Sequence, residues 1–241
     1  YMARVLGMSD AQTFNTYSAF TALLYALIII GGYIGDNVLG TKRTIVFGGI
    51  VLAIGYLLLG LASRNYIFLG LGTVAIGNGL FKANPPSLLS KCYKHGDSRL
   101  SGAFTLYYMA VNIGSFISLL LVPYLAKQFN WGIGFLVCAI GLCFALGNYF
   151  LSLKWIKNIG SSADHEPLAW DKLSMVIGGT IIACFLARWL LEHLSAAHWT
   201  LVIIIVIFYI YFFKIGIIHG KKAMLKLFVA FILMLEAVVF F

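Results

Sequence analysis

Along this chain, uncharged and mostly apolar runs alternate with short polar connections. Runs extend over Ala11 to Gly35, Thr44 to Ser63, Leu100 to Ala126, Gln128 to Leu153 and His193 to Phe213. Each is near or above the length of about 20 residues that carries a helix across a hydrocarbon layer of roughly 30 Å. A sixth run, Asn65 to Ser90, is interrupted by Lys82 alone. A seventh, Leu173 to Ala187, continues through Trp189 to Leu191, and an eighth begins near Leu227 and reaches Phe241. Tyr1 to Gly7 reads as the tail of a further helix. The pattern predicts a bundle of membrane-spanning helices, from a chain read as a fragment of a longer one and open at both ends.

Composition narrows the class. Of 241 residues, 61% are hydrophobic and 10% charged, against about 25% charged in ordinary soluble domains. So few charges cannot cover a water-facing surface of this size, which excludes a soluble enzyme. The runs are too long, and alternate too little, for a membrane β-barrel, whose strands are about 10 residues each.

The formal net charge of +9 takes its meaning from topology. If the Gly35 to Arg43 turn is cytoplasmic, then Lys42, Arg43, Lys91, Lys94, Arg99, Lys154, Lys157, Lys172, Lys214, Lys221, Lys222 and Lys226 fall on one side. The opposite loops hold Arg64 and Lys127. That asymmetry is the positive-inside pattern of a multi-pass protein of the cell (inner) membrane. Its partner is the lipid bilayer, and no nucleic acid is needed to explain it. Cys92, Cys138, Cys143 and Cys184 show no paired spacing and read as small core residues. No metal or cofactor is indicated.

The polar stretch Lys154 to Lys172 is rich in turn formers and sets the expected organisation. Residues 1–153 form an N-terminal transmembrane bundle whose first helix is incomplete, and 154–169 form a cytoplasmic linker. Residues 170–218 make two extra helices, and 219–241 start a second bundle.

Charge at membrane depth costs about 2.5–3.5 kcal/mol on insertion scales and normally faces protein or a wet cavity. Lys82 lies nine residues before Lys91, hence about 14 Å from the cytoplasmic end. Glu236 lies ten residues past Lys226, about 15 Å deep. Tyr25, Tyr108 and Asn112 reach depths of about 16, 14 and 20 Å by the same rise. Tyr108 and Asn112 share a helix face at i, i+4. The expected result is a polar layer near the midplane, where transporters keep substrate and ion sites. Gly77, Gly79 and Lys82 give G-x-G-x-x-K, but without a preceding strand or a Lys-Ser/Thr pair this is no phosphate loop. His193 and His198 are poorly spaced for a shared metal. No set of nucleophile, base and orienting acid can be assembled, so no enzyme is expected.

Three motifs carry a family resemblance. Gly31-Gly32-Tyr33-Ile34-Gly35-Asp36-Asn37-Val38-Leu39-Gly40-Thr41-Lys42-Arg43-Thr44-Ile45 resembles the second-to-third-helix signature of the major facilitator superfamily. Its double glycine and Thr-Ile ending are similar to the proton-dependent oligopeptide transporter family. Gly77-Asn78-Gly79-Leu80-Phe81-Lys82-Ala83-Asn84-Pro85 resembles that family's fourth-helix motif, and Tyr107-Tyr108-Met109-Ala110-Val111-Asn112-Ile113-Gly114-Ser115 its fifth-helix signature. The resemblance implies an all-α integral membrane protein: the N-terminal six-helix bundle, two linker helices as in bacterial members, and the start of the seventh core helix. It implies proton-coupled symport of di- and tripeptides, by alternating access and by a single full-length chain, with protons as the coupling ion.

By resemblance, Lys82 would sit near the peptide carboxylate and take part in proton coupling, while Asn112, Tyr25 and Tyr108 would hydrogen-bond the peptide backbone. Asp36, with Lys42 and Arg43, would form a conformational latch. Glu236 is a second proton-coupling candidate; the family's seventh-helix acid is either this residue or one beyond Phe241. The family's first-helix Glu-x-x-Glu-Arg motif would lie before Tyr1. Ala83 stands where the family often has proline, which predicts a straighter fourth helix. The alternatives are a carrier of nitrate, an amino acid or a drug on the same scaffold, and a membrane scaffold that transports nothing.

Overall fold

The computed structural model describes residues 2–3, 7–61, 66–94, 96–197, 199–200, 202–203, 206–207, 210 and 214. The chain divides into two compact units, Tyr1–Leu194 and Ser195–Phe241. The first contains helices α1 (Asp10–Asn37), α2 (Thr41–Gly60), α3 (Ile67–Lys82), α4 (Asn84–Lys91), α5 (Arg99–Gln128), α6 (Trp131–Ser152), α7 (Ser162–His165) and α8 (Trp170–Glu192). Among the described residues, α1, α2, α5, α6 and α8 are long and apolar enough to cross a membrane. Part of the expected His193 to Phe213 helix, and all of the run from Leu227, lie outside the described residues.

Local signals set the helix starts. Ser9 caps α1 in a reciprocal box with Gln12, the Ser9 hydroxyl accepting from the Gln12 N–H and the Gln12 side-chain Oε1 accepting from the Ser9 N–H. Asn130 caps α6 by accepting from the Ile133 N–H at 2.9 Å.

The unit is organised around α3, which packs against α2, α1 and α8. Helices in lipid gain nothing by hiding apolar surface from other apolar surface, so their association depends on close packing and small residues. Here the backbones of α1 and α3 meet at Gly31 and Gly79, where a Cβ on Gly31 would strike the Gly79 carbonyl. On the α2 side, a Cβ on Gly77 would come within 2.6 Å of the Leu52 nitrogen. Ile76 and Leu80 of α3 join Cys184 and Ala187 of α8 in a buried cluster, with Leu23, Leu27 and Ile34 of α1 against it. Beyond this group, α6 packs on α2, and α5 on α6 and α4. No residue of α5 is buried.

Two features were not expected. The fourth spanning run is interrupted: α3 ends at Lys82 and α4 starts at Asn84. Pro85 and Pro86 lack the N–H groups that would bond the Phe81 and Lys82 carbonyls, so the helix parts two residues before them whatever stands at position 83. Nor are all the cysteines core residues. All four are free thiols; Cys184 is buried, whereas Cys92 and Cys143 are exposed.

Substituting Gly79 by valine is expected to destabilise the full-length protein by about 1–3 kcal/mol, because the side chain must displace backbone. Gly141→Ala, at a position with open space around it, should leave stability within about 0.5 kcal/mol. Thermal unfolding in detergent compares the two, and equal midpoints would remove the close α1–α3 contact as the organising feature.

Candidate functional site

The helix break defines the local chemistry around Lys82. With two prolines following, the carbonyls of the last α3 turn lose their regular partners, which in lipid demands replacement. Asn84, fully buried, adds side-chain bonds just above the break: its amide donates to the Leu80 carbonyl at 2.6 Å and to the Gly31 carbonyl of α1 at 3.2 Å. Asn84 therefore fastens the broken helix to α1. Its own Oδ1 has no hydrogen-bond partner among the described residues and lies against Gly35.

Lys82 is the last residue of α3 and is exposed. It stands three residues beyond Gly79 and thus on the side of α3 that meets α1. Its Nζ lies 5.0 Å from the centre of the Tyr25 ring, a cation–π contact worth about 0.5–1 kcal/mol when exposed. Tyr108 and Asn112 stand on α5, both exposed, and α5 meets α4 and α6 but not α3. Lys82 and Tyr25 are thus together, while the Tyr108–Asn112 face stands apart from them. Glu236 lies outside the described residues. An apolar cavity of about 940 Å³ opens between α2, the end of α3, α4, α5 and α6, with Phe81, Arg99 and Tyr107 in its wall. None of the four candidate substrate residues lines it.

The turn between α1 and α2 is arranged differently from the expected latch. Asp36 forms its ion pair with Lys91 of α4, Nζ to Oδ1 at 2.6 Å, and accepts a long hydrogen bond from the Ser87 hydroxyl at 3.4 Å. Lys42 and Arg43 point away from Asp36. The Lys42 ammonium donates to the Ile156 and Lys157 carbonyls. The Arg43 guanidinium donates to the carbonyls of Leu39, Ala163 and Glu166, the last at 2.7 Å. The correction has a simple cause: Lys42 and Arg43 lie in the first turn of α2, whose side chains face the linker, whereas Lys91 ends the helix that passes beside Asp36.

Gly40 precedes α2 at φ +99°, in the left-handed region. It has no side chain to cap the helix, and a Cβ there would strike the Asp164 carboxylate. The linker supplies the cap instead. The Thr41 N–H donates to the Ser161 hydroxyl at 3.2 Å, and the Lys42 N–H to the two oxygens of Asp164 at 3.1 and 3.3 Å. Charge-assisted bonds to main-chain N–H groups at a helix start are among the stronger polar contacts, and losing such a cap costs about 0.5–2 kcal/mol. The exposed Asp36–Lys91 pair alone is worth about 0–1 kcal/mol. Lys91, Ser161 and Asp164 were all missed from sequence, although Ser161-x-x-Asp164 is a readable capping pattern. Outside the membrane, partial burial at the end of α4 pushes the Cys92 thiol above its ordinary value.

Among the described residues, five apolar helices of spanning length mark a multi-pass membrane protein. A family profile described as the POT family matches residues 42–241, and the chain belongs to that family of proton-dependent oligopeptide transporters. It is 49% identical over 243 aligned residues to dipeptide and tripeptide permease B of Salmonella typhimurium, covering 100% of this chain and 50% of that protein. It matches the protein of the same name from Photorhabdus asymbiotica at 49%, with the same coverage. The chain spans about half the length of the curated relatives it matches. Among solved structures, tetrameric PepTSo2 aligns with a TM-score of 0.85 and 35% identity, over 98% of this chain and 52% of that one. A bacterial homologue of the human drug peptide transporters PepT1 and PepT2 aligns at 0.82 and 37%, over 88% and 49%.

Arg43→Ala is expected to free the linker and raise tryptic cleavage between Lys154 and Lys172 several-fold, roughly in proportion to the local opening population. Gly141→Ala, at a position with open space around it, should leave that cleavage near wild type. Limited proteolysis of the full-length protein checks this, and equal rates in the two variants would contradict the assignment of Arg43 to the linker.

Proposed function

We propose that the full-length protein to which this chain belongs carries di- and tripeptides across the cell's inner membrane with protons, by alternating access. The single observation that carries this reading furthest is the position of Lys82 at a helix break against Tyr25, which the helical rise from Lys91 sets about 14 Å from the cytoplasmic end. A scaffold without transport has no use for an ammonium group there, given the insertion cost of about 2.5–3.5 kcal/mol. The names of the curated relatives supply the cargo class.

A short peptide is a zwitterion of variable side chain, so its carrier must hold the two ends and leave room between them. Lys82 attracts the carboxylate, while Tyr25, Tyr108 and Asn112 offer hydrogen bonds to the backbone. The exposed Tyr108–Asn112 face completes the site together with the rest of the full-length chain. Desolvation lowers a lysine pKa and a nearby carboxylate raises it. As the surroundings of Lys82 change between inward- and outward-facing states, a proton can be loaded or released, biasing the two states. Glu236 is proposed as a further proton carrier. Asp36 and Lys91 form the cytoplasmic latch between α1 and α4. The working unit is one full-length chain, whether or not copies associate.

In liposomes containing the full-length protein, an inward proton gradient is expected to drive dipeptide accumulation. Lys82→Ala should abolish that accumulation, with a loss of at least about 100-fold in gradient-driven rate, while exchange across equal pH persists weakly. Accumulation that ignores the gradient and the substitution would overturn the coupling. Entry of nitrate, an amino acid or a drug in place of a peptide would reassign the cargo.

A further inference from the structure

The linker between α6 and α8 does more in this structure than connect helices. Ser161 is 6% exposed and Thr41 fully buried, and between them they tie three segments together. The Ser161 hydroxyl accepts from the Thr41 N–H at 3.2 Å and lies 3.1 Å from the Gly35 carbonyl, to which it donates. The Thr41 hydroxyl lies 3.4 Å from the same carbonyl and accepts from the Lys91 ammonium at 2.7 Å. Lys91 in turn holds Asp36 at 2.6 Å. Asp164 anchors the far end, accepting from the Lys42 N–H and, at 2.9 Å, from the Ser161 N–H. The contacts run without a gap from the linker carboxylate through the α1–α2 turn to the ion pair joining α1 and α4.

We propose that Asp164 and Ser161 are positioning residues for the cytoplasmic latch, holding the α1–α2 turn in the register at which Asp36 meets Lys91. This rests on reading the protein as an alternating-access carrier. A linker that merely joined two bundles would need no buried serine aimed at the Gly35 carbonyl. It would also need no carboxylate serving as the missing cap of a helix that starts at a glycine with positive φ. The reverse contacts, from Lys42 and Arg43 to linker carbonyls, make the docking mutual. Moving the linker therefore releases both the helix start and the turn that carries Asp36. Ser161 and Asp164 act through Asp36 and Lys91 and touch no substrate.

The test is a double-mutant cycle on the full-length protein in liposomes, with Asp164→Ala, Asp36→Asn and the pair. The readout is alkylation of Cys92, an exposed thiol adjacent to Lys91, by N-ethylmaleimide, located by mass spectrometry. Each single change is expected to speed alkylation about threefold, and the double change also about threefold, because both act on one contact. Ser161→Ala should repeat the Asp164→Ala result, and Asp164→Glu should restore most of the wild-type rate. Dipeptide uptake by Asp164→Ala should lose Vmax with KM little changed. A double variant near about ninefold, the product expected of independent sites, would overturn the proposal, as would an alkylation rate untouched by Asp164→Ala. If Asp164→Ala fails to fold, the cycle with Ser161→Ala decides by the same criterion. A wild-type protein that carries no peptide would sink the transport reading alone, since the alkylation cycle does not depend on it.

Discussion

Backbone-to-backbone contact around α3 is the constraint from which the rest of this structure follows. Lipid tails remove the solvent force that gathers apolar helices in water, so a helix in this setting holds its neighbours by fit. Gly31 against Gly79 and Gly77 against Leu52 let α1 and α2 approach α3 more closely than any side chain would permit. α8 closes a third side through Cys184 and Ala187. With α3 fixed on three sides, the direction of its last turn is fixed too, and so is the side from which Lys82 projects.

The break below that turn is the complement of the tight packing above it. Pro85 and Pro86 withdraw two donors, and Asn84, immediately before them, binds the Leu80 carbonyl within the broken run and the Gly31 carbonyl across to α1. The helix is therefore interrupted without coming loose from its neighbour. α4 is free to take its own course and to bring Lys91 beside Asp36. One proline pair thus separates two cations nine residues apart in sequence into different contacts: Lys82 lies over the Tyr25 ring, and Lys91 joins α4 to α1 through Asp36.

Much of this was legible in the sequence. The spanning runs, the placement of basic residues and the three motifs gave the helices, the membrane and the family, because length, charge and glycine spacing are local properties. What was not legible depended on direction or on partners distant in sequence. Ala83 drew attention as a missing proline, yet Pro85 and Pro86, two and three residues on, broke the helix. The latch was assigned to Asp36 with Lys42 and Arg43 by resemblance, whereas the ion-pair partner of Asp36 lies 55 positions away, across a contact that the pattern of hydropathy does not encode. Tyr108 and Asn112 were correctly placed on one face of a helix. Depth alone, however, could not say that α5 would stand clear of α3. The Ser161-x-x-Asp164 pattern was readable as a cap, but that it would also cap α2 required knowing that Gly40 leaves a vacancy there.

The central claim is that Lys82, held at the helix break, faces the watery path of the peptide and not lipid. The most direct measurement is the reaction of Lys82→Cys in the full-length protein with a charged, membrane-impermeant thiol reagent, with and without dipeptide. The account predicts ready modification from the aqueous phase that dipeptide slows several-fold. A cysteine that ignores the charged reagent, reacts only with a lipid-soluble one, and is indifferent to dipeptide would contradict it.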